Sequence, residues 1–264
     1  MSLLRVLSEV ERPLSLGELV ERLGASKPAI YRLVRTLIDN GALRELRGEG
    51  YTLGPALISI GEAARRATRL PEVARPHMER LRESLGETVV LSMLDGDELV
   101  PVARIEVRQI LSVSGAVGAR LPAYCTSAGH VLLSGLSGDE VRARLAHCTF
   151  ERRTPNTIAS VDELVTALAK VRERGYAIND EQLVVGHRSA AAPVRDHGGN
   201  VAAALSISVP AARVPRRELI HFATQHLVPT AQALTLDLGA PGPAGDGEAA
   251  PESQRPIEPQ AVPA

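Results

Sequence analysis

The sequence predicts an α+β chain: a small helical head, a connecting helix, a larger domain on an antiparallel sheet, and an unstructured tail. Three observations carry this. Three short amphipathic helical patterns and a hairpin crowd into the first fifty or so residues. Further on, Asp-Gly and Gly-Gly turns join strand-like runs, with capped helical patterns between them. From Gly239 onward, 16 of 26 residues are Pro, Gly or Ala, too little apolar surface to offset the entropy of ordering.

In Ser2–Val10, Leu3, Leu4, Leu7 and Val10 recur at helical spacing, and Pro13 forbids continuation. A second helix starts at Ser15, where Glu18 three places on completes a capping box. It turns Leu16, Leu19, Val20 and Leu23 inward, and Gly24 supplies the left-handed cap. Ser26 caps a third helix that tolerates Pro28 in its first turn. Its buried stripe is Ile30, Leu33, Val34, Leu37 and Ile38, and Gly41 ends it. Ala42–Leu46 and Tyr51–Leu53 are strands around Arg47-Gly48-Glu49-Gly50. Three helices and a hairpin in this order make a winged helix-turn-helix over residues 1–56.

Leu57–Leu70, rich in small residues and closed by Pro71, is the expected linker helix over 57–70. The larger domain, 71–238, opens with a helix Glu72–Leu85 capped by Gly86. Strands Thr88–Leu94 and Leu99–Glu106 flank Asp95-Gly96-Asp97. Helices follow at Thr126–Ser134, Asp139–Ala146 and Val161–Arg174, the last with Ser160 and Glu163 as its capping box. Ser189–Val194 and Val201–Val209 form a second hairpin, and Glu218–Leu238 is a helix bent at Pro229. Residues 239–264 are the disordered tail.

Charge is uneven. Up to residue 70 there are eleven Arg and Lys against eight Asp and Glu; beyond it, 19 against 23. The net charge of −1 excludes a uniformly basic chromatin-like protein, and the basic head suits nucleic acid. Two cysteines, Cys125 and Cys148, exclude a disulfide framework or a multi-Cys zinc site. No apolar run approaches the roughly 18 residues of a membrane span, and a signal-peptide layout is missing at the start. A cytoplasmic protein with no membrane contact is the expectation.

On a helical wheel with Ile30 at 0°, Pro28, Arg32, Arg35 and Asp39 fall between about 140° and 200°, opposite the stripe. Two arginines on the free face of a packed helix fit a major groove, where guanidinium bonds guanine or phosphate. On one helix alone such a face is more often a solvated one; the preceding helix, tight turn and following hairpin favour the groove. The DNA-facing set is Ser26, Lys27, Pro28, Tyr31, Arg32 and Arg35, with Arg47 at the hairpin tip.

Three blocks carry a family resemblance: LSLGELVERLGASKPAIYRLVRTLIDNGALRELRGEGYTLGPALISIG at 14–61, VGARLPAYCTSAGHVLLSGL at 117–136, and RERGYAINDEQLVVGHRSAAAPVRDHGGNVAAALSISVP at 172–210. In that order they resemble the IclR-family transcriptional regulators, over roughly residues 2–238. LPAYCTS with the later INDEQ resembles the branch that controls aromatic-acid catabolism (protocatechuate, 4-hydroxybenzoate, β-ketoadipate). The resemblance implies a GAF-like effector domain, a homodimer or dimer of dimers, double-stranded operator DNA and a small carboxylate effector as partners, and no cofactor. This chain departs from the family's common residues at Pro28-Ala29, where Ser-Thr is frequent, at His130 and at Asn179.

The helix from Thr126 should turn the N–H groups of Ser127, Ala128 and Gly129 out of its first turn, an anion site. The resemblance implies that ligand touches Ser127 and Ala128, with Asn179, Ser189, Ser206 and Ser208 as polar wall and Leu121 as apolar wall. Strand alternation agrees, since Ser206 and Ser208 share one face and Leu205, Ile207 and Val209 the other. Taken without the resemblance, these serines read more readily as partners of neighbouring backbone. A rival reading makes the chain a small-molecule enzyme or metal-dependent sensor, using Cys125 with His130, or His187 and His197. No G-x-S-x-G, Walker A or HExxH motif supports it, so a non-enzyme is expected.

Overall fold

The computed structural model describes residues 2–107 and 115–239; most of the expected tail, 240–264, lies outside the described residues. The chain divides into one compact unit ending at Pro76 and a second beginning at His77.

The first unit contains α1 (Ser2–Ser8), α2 (Leu16–Leu23), α3 (Lys27–Asp39), β1 (Leu43–Leu46), β2 (Gly50–Leu53) and α4 (Ala56–Thr68). The capping box forms: the Glu18 N–H donates to Ser15 Oγ at 3.3 Å, and Ser15 N–H to Glu18 Oε2 at 2.8 Å. A 2.7 Å bond from Arg12, with those capping bonds, holds the Glu18 carboxyl down at about 2. Gly24 takes φ of 61° and returns its N–H to Val20, a conformation that costs a residue without Cβ nothing. β1 and β2 are antiparallel, and Leu14 pairs with Tyr51, stitching the chain before α2 to the hairpin. Leu3, Leu7, Leu14, Leu19, Ile30, Val34, Leu43 and Tyr51 form the core. Leu33 is a correction: it is 41% exposed rather than part of the stripe. It lies about 60° from Ile30 on the stripe's edge, and so small a head closes only the centre.

The linker helix, expected to run to Leu70, ends at Thr68. Arg69, at φ of 51°, breaks it, and α5 (Leu70–Leu85) begins at once. Pro71 therefore sits in the first turn of α5, where its missing N–H has no acceptor to lose.

The second unit is built on six antiparallel strands in the order β5-β4-β3-β8-β7-β6. These are β3 (Thr88–Asp95), β4 (Glu98–Ile105), β5 (Leu121–Pro122), β6 (Ala177–Asp180), β7 (His187–Arg195) and β8 (Val201–Pro210). β5 and β6 are not foreseen in the sequence: one is two residues long, and the other ends in Asn-Asp, which reads as a turn. A 3₁₀ turn (Ala123–Cys125) leads into α6 (Ser127–Ser134), followed by α7 (Gly138–Arg144) and α8 (Val161–Arg174). α6 packs on β7 and β8, with Ala128, Val131 and Leu132 against Ala191 and Ala204. Ala190, Ala192, Leu205 and Ile207, on the other face, are wholly buried. α9 (Arg216–Phe222) and α10 (Val228–Asp237) pack against β7 too. The expected bend at Pro229 is a π turn, Ala223–Leu227, just before the proline that has no N–H to give.

Candidate functional site

Sheet register sets the floor of a cavity. Thr88 on β3 pairs with Ser208 on β8, Ser208 with Ser189 on β7, and Ser189 with Asn179 on β6. Four polar residues thus cross four strands in one row. The next row on the same face holds Val90 beside Ser206. α6 lays its first turn over this floor, and Leu121 of β5 closes a side.

All seven residues expected at the effector site, Leu121, Ser127, Ala128, Asn179, Ser189, Ser206 and Ser208, line this one cavity. The two blocks that supply them, 117–136 and 172–210, lie well apart in sequence. Gly129 explains how close the helix comes: a Cβ there would lie 2.2 Å from the Ala123 carbonyl oxygen.

Several bonds differ from expectation. The Gly129 N–H does not face the cavity; it donates to Thr126 Oγ1 at 3.1 Å, the helix's own N-cap. That leaves the Ser127 and Ala128 amides, for which a helix supplies no acceptor. Ser206 Oγ donates to the Val90 carbonyl at 3.2 Å, so its proton is committed. Asn179 donates to Cys125 O at 2.5 Å and accepts from Gln182 N–H at 3.0 Å, holding the loop before α6 to the edge strand. Ser127 and Ser189 bond one another at 2.7 Å.

His187 was not among the expected effector residues, yet it lines the cavity. The signal was available: it stands two places before Ser189 on one strand and so shares its face. Its burial pushes the imidazole below the ordinary histidine range.

The DNA-facing set is placed as expected on the surface. Ser26, Lys27, Pro28, Tyr31, Arg32 and Arg35 are all exposed, as is Arg47 in the β1–β2 turn. Ser26 occupies the N-cap position without a side-chain capping bond. Arg35 lies 3.9 Å from Asp39.

Cys125 and His130 do not form the reactive pair of the rival reading. Cys125 is fully buried, and that burial pushes its thiol up to about 12, so no thiolate forms near neutrality. His130, also buried, is held below the ordinary histidine range by desolvation, and its Nε2 donates to Tyr124 O at 2.7 Å. Among the described residues no group of three His, Cys, Asp or Glu is placed to hold a metal ion. Nor is any described helix long and apolar enough to cross a membrane.

Comparison with known proteins agrees with this geometry. A family model described as "Bacterial transcriptional regulator IclR C-terminal" matches residues 63–236, and one described as "IclR helix-turn-helix domain" matches residues 1–47. The Pca regulon regulatory protein of Pseudomonas putida is 32% identical over 239 residues, 90% of this chain and 80% of that one. The HTH-type transcriptional regulator XynR of Escherichia coli (strain K12) is 33% identical over 242 residues, 91% of this chain and 96% of that one. The crystal structure of RHA06195 from Rhodococcus sp. RHA1 superposes with a TM-score of 0.71 at 34% identity, covering 90% of this chain and 94% of that one. These relatives are regulators rather than enzymes. With a winged head, an antiparallel-sheet domain and both family models matched, the chain belongs to the IclR family of ligand-responsive bacterial transcriptional regulators.

Proposed function

We propose that the cavity senses a small carboxylate, an aromatic acid or a catabolite of one, and that occupancy alters the head's affinity for an operator. One observation carries this reading: the first two amides of α6, Ser127 and Ala128, stand over a cavity whose floor is a row of hydroxyls and an amide, and among the described residues no lysine or arginine lines it. Two helix N-terminal amides bond a carboxylate at about 1.5–3 kcal/mol each, and the apolar side made by Val90, Leu99 and Leu121 accepts a ring or chain. Similarity to the Pca regulon regulatory protein supports the same class.

The head acts in pairs in this proposal. Ile58 and Ile60 on α4 are 71% and 61% exposed, apolar surface suited to a second copy. A two-fold dimer reads a pseudopalindromic operator with half-sites about one helical turn apart. The test couples calorimetry over protocatechuate, 4-hydroxybenzoate, β-ketoadipate, pyruvate and glyoxylate to an operator-shift assay. One acid should bind once per chain and shift operator affinity; no binding by any of them defeats the reading.

A further inference from the structure

Most polar side chains in the cavity are already engaged within the protein. Thr126 caps α6, Ser127 and Ser189 bond each other, Ser206 bonds Val90 O, and Asn179 holds backbone on two sides. His187 differs. Its Nε2 is buried and has no hydrogen-bond partner, a state that native interiors rarely leave uncompensated.

Position gives that vacancy a meaning. His187 lies two residues from Ser189 along β7, about 7 Å away on the same face. Ser189 is the residue bonded to the first residue of α6. The α6 amides and the His187 ring therefore address different ends of the cavity. A ligand anchored on the amides through its carboxylate extends its other end along β7 toward His187. Desolvation holds the half-buried ring below the ordinary histidine range, so it offers hydrogen-bonding nitrogen rather than charge near pH 7.

We propose that His187 is a specificity-determining residue: its Nε2 selects carboxylates that carry a hydroxyl on the side away from the anion over those that end in hydrocarbon. This rests on the reading above, in which the carboxylate sits on α6. A site built to bond a hydroxyl discriminates against the analogue lacking it, because the analogue leaves the protein's own polar atom unpaired.

The experiment titrates benzoate, 3-hydroxybenzoate and 4-hydroxybenzoate into the full chain by calorimetry. In the wild type one hydroxylated ring should bind about tenfold tighter than benzoate, the worth of one hydrogen bond. His187→Leu should bring the ratio close to one, chiefly by weakening the hydroxylated acid, and His187→Gln should retain part of it. An unchanged ratio in His187→Leu overturns this proposal and leaves the carboxylate reading standing. Failure of all three acids to bind overturns this proposal, while the carboxylate reading stands or falls on the five acids named above. Should His187→Leu fold poorly, the wild-type ring decides by nitrogen NMR: Nε2 should respond to the hydroxylated acid and hardly to benzoate, and equal responses overturn the proposal.

Discussion

Ser127 and Ser189 meet hydroxyl to hydroxyl at 2.7 Å, a buried bond between residues 62 apart in sequence that fixes the first turn of α6 to β7. Removing either hydroxyl leaves the other without its partner. Ser127→Ala and Ser189→Ala should each cost about 0.5–1.5 kcal/mol in urea unfolding. The double variant should cost little more than either single one, because the second change removes a group already orphaned. Strictly additive losses would show that the two hydroxyls act independently.

Gly129→Ala tests how tightly α6 is seated. The new methyl would lie 2.2 Å from the Ala123 carbonyl oxygen, against backbone that cannot swing aside as a side chain would. We expect a loss of about 1–3 kcal/mol, the usual range for overpacking. Binding of the effector acid should weaken as well, since the displaced turn carries the Ser127 and Ala128 amides. A variant with unchanged melting temperature would mean that the 3₁₀ turn yields freely.

How much of this was legible in the sequence depends on the kind of signal. Capping boxes are local chemistry, so Ser15 with Glu18 marks the start of α2 correctly, and glycine punctuation marks the ends of α2 and α8. Strand alternation likewise put Ser206 and Ser208 on one face, as the cavity shows. What periodicity could not give was partnership. Whether the Ser206 proton faces ligand or backbone is settled by how near β3 lies, and it bonds Val90 O. The Gly129 amide likewise turned inward because Thr126, just before it, competes for it as an N-cap. β6 escaped notice since Asn179 and Asp180 carry turn propensity and only the neighbouring β7 makes them a strand. Leu33 was misplaced for a related reason: a helical wheel knows the stripe, not the width of what covers it.

Stability should fall on acidification through two desolvated histidines. His130 is held below the ordinary value of about 6.5 by desolvation, with nearby Arg174 acting in the same direction, and His187 is lowered by burial. In the unfolded chain both protonate normally, so below about pH 6.5 the unfolded state binds more protons than the folded one. The melting temperature should therefore drop as pH falls from 7.5 toward 5, and flatten below the folded-state values. His130→Gln should shrink that slope while lowering stability at pH 7.5, where the bond to Tyr124 O is intact in the wild type. An identical slope in the variant would remove His130 from the explanation.

The last prediction separates the two uses of arginine on the head. Arg32 stands on the exposed face of α3, opposite buried Ile30 and Val34, where a helix lying in a groove meets base edges. Arg47 stands exposed in the turn between β1 and β2. Arg32→Ala should cost about 1–3 kcal/mol on the cognate operator and relax discrimination at one base pair, with little change on unrelated DNA. Arg47→Ala should weaken cognate and unrelated DNA alike and reduce the salt slope by about one, the mark of a lost phosphate contact. Asp39→Ala should tighten binding to both, since it removes an exposed negative charge beside Arg35 and frees that guanidinium from a weak pair. Anisotropy titrations at several salt concentrations give affinity and slope together, and effector binding in each variant serves as the control. Operator affinity unchanged by Arg32→Ala would show that α3 does not read the groove. A loss in which Arg32→Ala behaves like Arg47→Ala would make both phosphate clamps and move sequence readout elsewhere on the head.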